Sequence, residues 1–564
     1  MFLPATPREV GALGWDKLDI ILVTGDAYID SPHIGVAVIG RALLDKGYRV
    51  GVISQPDVGA AADISRLGEP ALYWGVTSGC MDSMISNRTA SGKRRRRDDL
   101  TPGGKNTRRP DRALIAYANL IRRHFRNTAP IVLGGLEASL RRVAHYDFWS
   151  DSIRRCVLFD AKADLLVYGM GERAATRIAE LLKEGKDPSG VRGVCHIAKT
   201  KKAGFLELPS YEAVAKDERE FAEMFRVFYG NNEPPSAKGL VQAHGDRYLI
   251  HNPPARPLTP DELDHVHNLP YERDAHPRCR KGGEIRALET IRFSITTHRG
   301  CYGECNFCAI ASHQGRRVVS RSEASIIREA KELARRPGFK GVIADVGGPT
   351  ANMYGTGCGK TSGGALCGKR RCLFPRACGA LLTDHSRLTD LLERLGSLPG
   401  IDRVCVASGV RYDLVFAARG SGERYLKRLV EHHISGQLKL APEHSESRVL
   451  RLMGKPDIGQ LRRFRELFVA LNNESGKRQF LTYYFIAAHP GCAFGDMAAL
   501  KRFTTETLRL RPEQVQIFTP APSTYSTLMY HTGKDPFTGE KIFIERSPAG
   551  RERQKSAVCA CRRG

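Results

Sequence analysis

Residues 297–310 read THRGCYGECNFCAI and carry Cys301, Cys305 and Cys308 in the spacing C-x3-C-x2-C. Three thiolates within eight residues can hold three corners of a cubane iron–sulfur cluster and leave one iron without a protein ligand. A closed structural zinc site would need a fourth ligand, which His298 or His313 would have to supply. Position separates the two readings. The loop directly follows a short apolar strand and carries an aromatic, Phe307, beside its last cysteine. An open iron–sulfur site is therefore favoured over zinc.

A second group follows at Cys358, Cys367, Cys372 and Cys378. It begins in YGTGCGKTS, which resembles the end of a phosphate-binding loop. That loop needs a glycine at the position of Tyr354, so the resemblance fails. Four thiolates at these gaps suit either zinc or a second iron–sulfur centre, ringed by Lys360, Lys369, Arg370 and Arg371. Fifteen cysteines, seven of them between 301 and 378, are in any case better explained by metal or redox chemistry than by disulfides.

The elements that must hold these residues form two βα series. In the first half, strands are expected at Ile20–Val23, Val50–Ser54, Leu72–Val76, Ile131–Leu133 and Leu165–Tyr168. A helix over GVAVIGRALLDKGY would present Val36, Val38, Ile39, Ala42 and Leu43 on one face and stop at Gly47. This is the pattern of a doubly wound, Rossmann-like α/β domain, with Gly134-Gly135 and Gly169-Met-Gly171-Glu172 at strand ends. We assign it to residues 1–230, interrupted at 87–112 by a basic insertion read as a solvated loop. Residues 231–284, rich in Pro, His and charge, read as an extended linker.

From 285 to 535 a second series is expected, with strands at Ile291–Thr296, Val342–Val346, Val404–Ala407, Gln437–Leu440, Leu481–Phe485 and Val515–Phe518. Six parallel strands with crossover helices imply an open or complete βα barrel with a Cys-rich insertion at 352–384. Functional residues then belong after strand ends. The strand ends offer Gly347 and Gly348, Ser408 and Arg411, Lys439, Glu443 and His444, and His489. Residues 536–564, with Cys559 and Cys561, read as a mobile basic tail.

Composition sets the outer bounds. The chain has 564 residues, of which 41% are hydrophobic, and a formal charge of +26 from 87 basic and 61 acidic side chains. That excludes wholesale disorder, and the field favours polyanions, RNA first among them. No run of about 18 apolar residues and no secretory signal are seen, so a cytoplasmic protein without membrane spans is expected.

The cysteine loop with its βα series resembles the radical S-adenosylmethionine (SAM) enzymes. SGCMDSM, TPGGK, RRPDRA, VLGGLEASLRR, DVGGPTANMYG, LKLAPEHS and FTPAPSTYSTLMYHTGKDPFTGE narrow the resemblance to the YgiQ-type family, from about residue 15 to 545. The resemblance implies that Cys301, Cys305 and Cys308 ligate one 4Fe–4S cluster whose fourth iron takes SAM. Reductive cleavage would then yield a 5′-deoxyadenosyl radical. It also implies that Phe307 packs near the adenine, that Gly347 and Gly348 meet the SAM amine, and that Ser408 and Arg411 reach its ribose or carboxylate, with Glu443 in the same pocket. A flavodoxin- or ferredoxin-like donor would supply electrons, and an RNA or ribosome-associated substrate is the first expectation.

The N-terminal domain is similar to cobalamin-binding domains. The usual ligand motif D-x-H-x-x-G is absent, however: Asp30-Ser-Pro-His33-Ile-Gly35 has the wrong spacing. Cobalamin is therefore not expected. The competing reading is a metal-stabilised, non-catalytic nucleic-acid-binding protein.

Overall fold

The segment Ile20–Thr24 (β1) is buried at all of its positions, as a strand covered on both faces requires. In the computed structural model, which describes residues 1–234, 236–360, 367, 371–513 and 515–559, β1 is the hub of a parallel array. Its neighbours are Val50–Ser54 (β2) and Tyr73–Thr77 (β3), followed by Ile131–Gly134 (β4) and Leu165–Val167 (β5). The order β2-β1-β3-β4-β5 is the flavodoxin-like form of the doubly wound fold. The helix Gly35–Asp45 connects β1 to β2, and Gly47 follows it at φ +82°, where a side chain would be strained.

The sheet does not end at β5. Val194–Ala198 (β6), Leu206–Leu208 (β7), Leu240–His244 (β8) and Arg247–His251 (β9) extend it to nine strands, with β6 antiparallel to β5 and β9. The expectation of a linker at 231–284 is corrected by β8 and β9, which form an antiparallel hairpin around Gly245 and Asp246. Their buried side chains give the pair a place in the core that composition alone obscured.

The basic insertion is folded at its flanks, while residues 93–97 stay exposed as expected of a solvated loop. Arg109 is 1% exposed at its side chain and lies 2.5 Å from Asp26 and 3.0 Å from Asp98. Ala27 N donates to Leu100 O, and Gln55 Nε2 to Thr101 Oγ1 at 2.7 Å. These contacts seat the insertion on the loops that leave β1 and β2.

The chain divides into two compact units, Met1–Pro257 with His265–Arg292, and Leu258–Asp264 with Phe293–Gly564. The second holds a parallel series of Ser294–Thr296 (β10), Val342–Ile343 (β11), Asp345–Gly347 (β12), Arg403–Val404 (β13), Gln437–Glu443 (β14), Phe480–Ala487 (β15) and Gln516–Ile517 (β16). β10 pairs with β12, β11 with β13, β14 with β15 and β15 with β16, all parallel. A parallel bridge from Val410 to Leu440 carries the series across to β14. Helices lie between the strands. In one of them, Glu323–Ala334, Ser322 caps the N-terminus, and Ile326, Ala330 and Leu333 belong to the same buried core as the strand residues Ile295, Ile343 and Val404.

The mobile tail is corrected too. Pro548–Val558 is a helix capped by Ser547. Its Gln554, 1% exposed, donates to Cys492 O and accepts from Ala488 N, both at 3.0 Å. Among the described residues no helix is long and apolar enough to cross a membrane.

Candidate functional site

The cysteine loop is anchored at both ends and in the middle. At its start, His298–Arg299 pairs antiparallel with Val319–Ser320. Gly300 sits at φ +83°, and a Cβ there would lie 1.9 Å from Arg317 O, so only glycine fits. Cys301 N donates to Gly315 O and Cys308 N to Cys305 O. In the middle, Asn306 docks the loop downstream: its backbone N donates to Met453 O, its Nδ2 to Leu452 O at 2.7 Å, and its carbonyl accepts from Ser526 N.

Among the described residues, no three His, Cys, Asp or Glu side chains converge as the ligands of a single ion would. His298, one candidate for a fourth zinc ligand, is fully buried against Gly348, with Nδ1 2.9 Å from Thr297 Oγ1.

Burial pushes the Cys308 thiol up to about 12 and raises that of Cys301. Metal binding must therefore displace protons from both. Against them stands Arg411. Its Nη1 lies 3.7 Å from Cys305 Sγ, while Nε and Nη2 grip the Asp413 carboxylate at 3.0 and 2.6 Å. Asn352 clamps the Arg411 backbone from both sides, accepting from its N at 2.9 Å and donating to its carbonyl at 3.0 Å. Thr350 Oγ1 lies 3.5 Å from Cys301 Sγ. Gly303 leaves room for the guanidinium, since a Cβ there would be 2.8 Å from Nη1. Asp413, Asn352 and Thr350 escaped the sequence reading, although the R-Y-D spacing around Arg411 offered a signal for Asp413.

The other strand-end residues divide. Gly347 O is already taken by Thr297 N at 2.7 Å and Thr297 Oγ1 at 3.1 Å. Ser408 donates its hydroxyl to Asp345, which also accepts from Ala407 N and Ser408 N. Both thus serve first to order their own strand ends. Glu443 is buried at φ +71° near the end of β14. Burial raises its pKa, with Lys455 and Arg411 opposing, and it acts electrostatically on Cys308.

Phe307 meets His489 edge-on at 6.3 Å. His489 is fixed by Pro490 O at 2.9 Å and Ser526 Oγ at 2.7 Å. His444 is buried with Nε2 3.6 Å from Cys492 Sγ, a packed position away from solvent. Lys439 offers its carbonyl to Val410 N. In the second group, Cys358, Cys372 and Cys378 are half-buried and Cys367 is exposed. Lys369, Arg370 and Cys561 lie outside the described residues.

This arrangement, a three-cysteine loop after the first strand of a parallel βα series that follows a flavodoxin-like domain in the chain, defines a radical SAM enzyme. Residues 2–294 match the family pattern described as Radical SAM N-terminal, and residues 295–502 that of the Radical SAM superfamily. The chain belongs to the UPF0313 family, which is the YgiQ-type family that its sequence resembles. It is 50% identical over 558 residues to the UPF0313 protein of Fusobacterium nucleatum, covering 99% of this chain and 98% of that protein. It is 47% identical over 567 residues to that of Thermotoga maritima, covering 100% and 99%.

Solved structures with the same fold include TsrM from Kitasatospora setae, a radical S-adenosylmethionine methyltransferase with cobalamin and a [4Fe-4S] cluster bound. The TM-score is 0.51 at 16% identity, over 90% of this chain and 73% of that one. The cobalamin-dependent enzyme OxsB with aqua-cobalamin bound gives 0.51 at 13% identity, over 93% of this chain and 57% of that one. The expectation against cobalamin is corrected by these neighbours, because the same two-part fold occurs in cobalamin-dependent enzymes.

Proposed function

We propose that Cys301, Cys305 and Cys308 hold one 4Fe–4S cluster, that SAM occupies its open iron, and that the enzyme cleaves SAM reductively to modify a substrate by radical chemistry. The observation that carries this reading is the cation built against the thiolates: Arg411, oriented by Asp413 and Asn352, 3.7 Å from Cys305 Sγ. A bound cluster supplies one electron at low potential, and SAM is the source of the 5′-deoxyadenosyl radical. The protein's own groups do the rest. The three thiols bind as thiolates and give up their protons. Arg411 offsets their charge, and Thr350 offers a hydroxyl to Cys301. Glu443, whose carboxyl burial keeps toward the protonated form, can donate a hydrogen bond to a ligand in the same pocket. Phe307, backed by His489, offers an apolar face for an adenine.

Cobalamin is compatible with the N-terminal sheet. At Gly134, at the end of β4, no atom lies within 4 Å of the position a Cβ would take, so a broad ligand can approach the backbone there. Titration with hydroxocobalamin, followed by absorption, tests this.

A flavodoxin- or ferredoxin-like protein is the reductant we propose. For an RNA or ribosome-associated substrate, two basic side chains of the insertion are already engaged within the protein, Arg88 with Asp111 and Arg109 with Asp26, whereas residues 93–97 are exposed. Anaerobic reconstitution followed by SAM, dithionite and an assay for 5′-deoxyadenosine tests the main reading. Product from the parent and none from Cys305→Ala is expected; an iron-loaded parent without product refutes it.

A further inference from the structure

The two sets of cysteines lean on one small patch of core. Tyr302, Met353, Leu373 and Leu414 form a buried cluster, and both Cys301 and Cys372 pack against it. The second set is gathered by the backbone. Gly357–Cys358 pairs antiparallel with Leu381–Leu382, setting Cys358 opposite Leu381. Leu381 N donates to Cys378 O at 2.9 Å, and Cys378 N to Cys372 O at 2.8 Å. One chain of hydrogen bonds therefore brings Cys358, Cys378 and Cys372 together.

Neighbouring side chains tie this knot to the first loop. Arg371, adjacent to Cys372, donates to Asn306 Oδ1 between Cys305 and Phe307. Its guanidinium is held over the rings of Tyr525 and Phe537 at 5.0 and 5.1 Å. Arg316 donates to Glu304, which lies between Cys301 and Cys305, at 3.1 Å. Several thiols drawn together by the backbone beside cationic side chains are the ligand set an iron–sulfur centre uses.

We propose that Cys358, Cys372 and Cys378, with Cys367 as fourth ligand, bind a second iron–sulfur cluster adjoining the first. This holds whether or not SAM is cleaved at the first set. Four cysteines leave no open iron, so the second cluster takes no SAM, and its closeness makes the two centres magnetically coupled when both are reduced.

The test is iron, sulfide and zinc content with electron paramagnetic resonance on the anaerobically reconstituted full chain. The parent should hold about eight irons, and both Cys305→Ala and Cys372→Ser/Cys378→Ser roughly four. The reduced parent should show faster spin relaxation than either variant. Cys367→Ser, at an exposed position where folding is not at stake, should alter the second signal and leave the first. About four irons in the parent and none in Cys305→Ala overturns the proposal, as does one zinc per chain with four irons. An unchanged second signal in Cys367→Ser overturns the four-thiol site.

Discussion

Removing the Arg411 guanidinium should make the cluster harder to reduce, and the structure sets the size of the effect. A unit positive charge 3.7 Å from Cys305 Sγ attracts a unit negative charge by about 4 kcal/mol at an effective dielectric of about 20. Two factors lower this. Asp413, 2.6 Å from Nη2, cancels part of the field, and the added electron spreads over the whole cluster. Retaining a quarter to a half leaves about 1–2 kcal/mol, or roughly 40–90 mV for one electron. Arg411→Gln should lower the midpoint potential by at least that much, because it leaves the Asp413 carboxylate uncompensated. Arg411→Gln/Asp413→Asn removes both charges and should fall less. The assay is a redox titration of the reconstituted protein followed by electron paramagnetic resonance, with iron content matched across variants. A potential that stays put or rises in Arg411→Gln would show that the guanidinium does not act on the cluster.

Three further outcomes are expected. Gly348→Ala would set a Cβ 2.6 Å from His298 Cε1 and should cost about 1–3 kcal/mol by overpacking; thermal melts against Gly396→Ala, which meets nothing within 4 Å, measure it. Burial lowers His298 and His444 to about 4 and His489 to about 3. The unfolded chain protonates these rings near 6.5 while the folded chain does not, so stability should drop as pH falls from about 6.5 toward 4, by about 2 kcal/mol per ring at pH 5; equal denaturant midpoints at pH 7 and 5 would contradict this. Arg109→Met strands the buried Asp26 and Asp98 carboxylates and should cost about 3–5 kcal/mol, read from denaturant melts, whereas exposed Arg97→Met should be silent.

The parallel strands were legible because burial on both faces writes a continuous apolar run, as in Ile20–Thr24. The cysteine loop was legible because ligand chemistry fixes its spacing. The hairpin of β8 and β9 was legible and overlooked: LVQAH and RYLIH flank Gly-Asp, a turn signal between two strand-like runs. Its proline-rich surroundings carry the opposite signal, that of an extended linker. The helix 548–558 carried no such signal, since its buried face consists of Gly550, Arg551, Gln554 and Val558, held by polar contacts that no hydrophobic period announces. Arg411 was found by position, but its engagement with Asp413 and Asn352 depends on distances that a sequence does not contain. The same holds for Ser408, whose hydroxyl proved to belong to Asp345.

The anchoring of Asn306 bears on how the enzyme is made. Its partners, Leu452, Met453 and Ser526, and the Gln554 that braces the loop before Cys492, all leave the ribosome long after Cys308 does. The nascent chain thus displays three reactive thiols well before the walls that will shelter them exist. A cell making this protein must either shield those thiols during synthesis or deliver iron and sulfide only to the finished polypeptide.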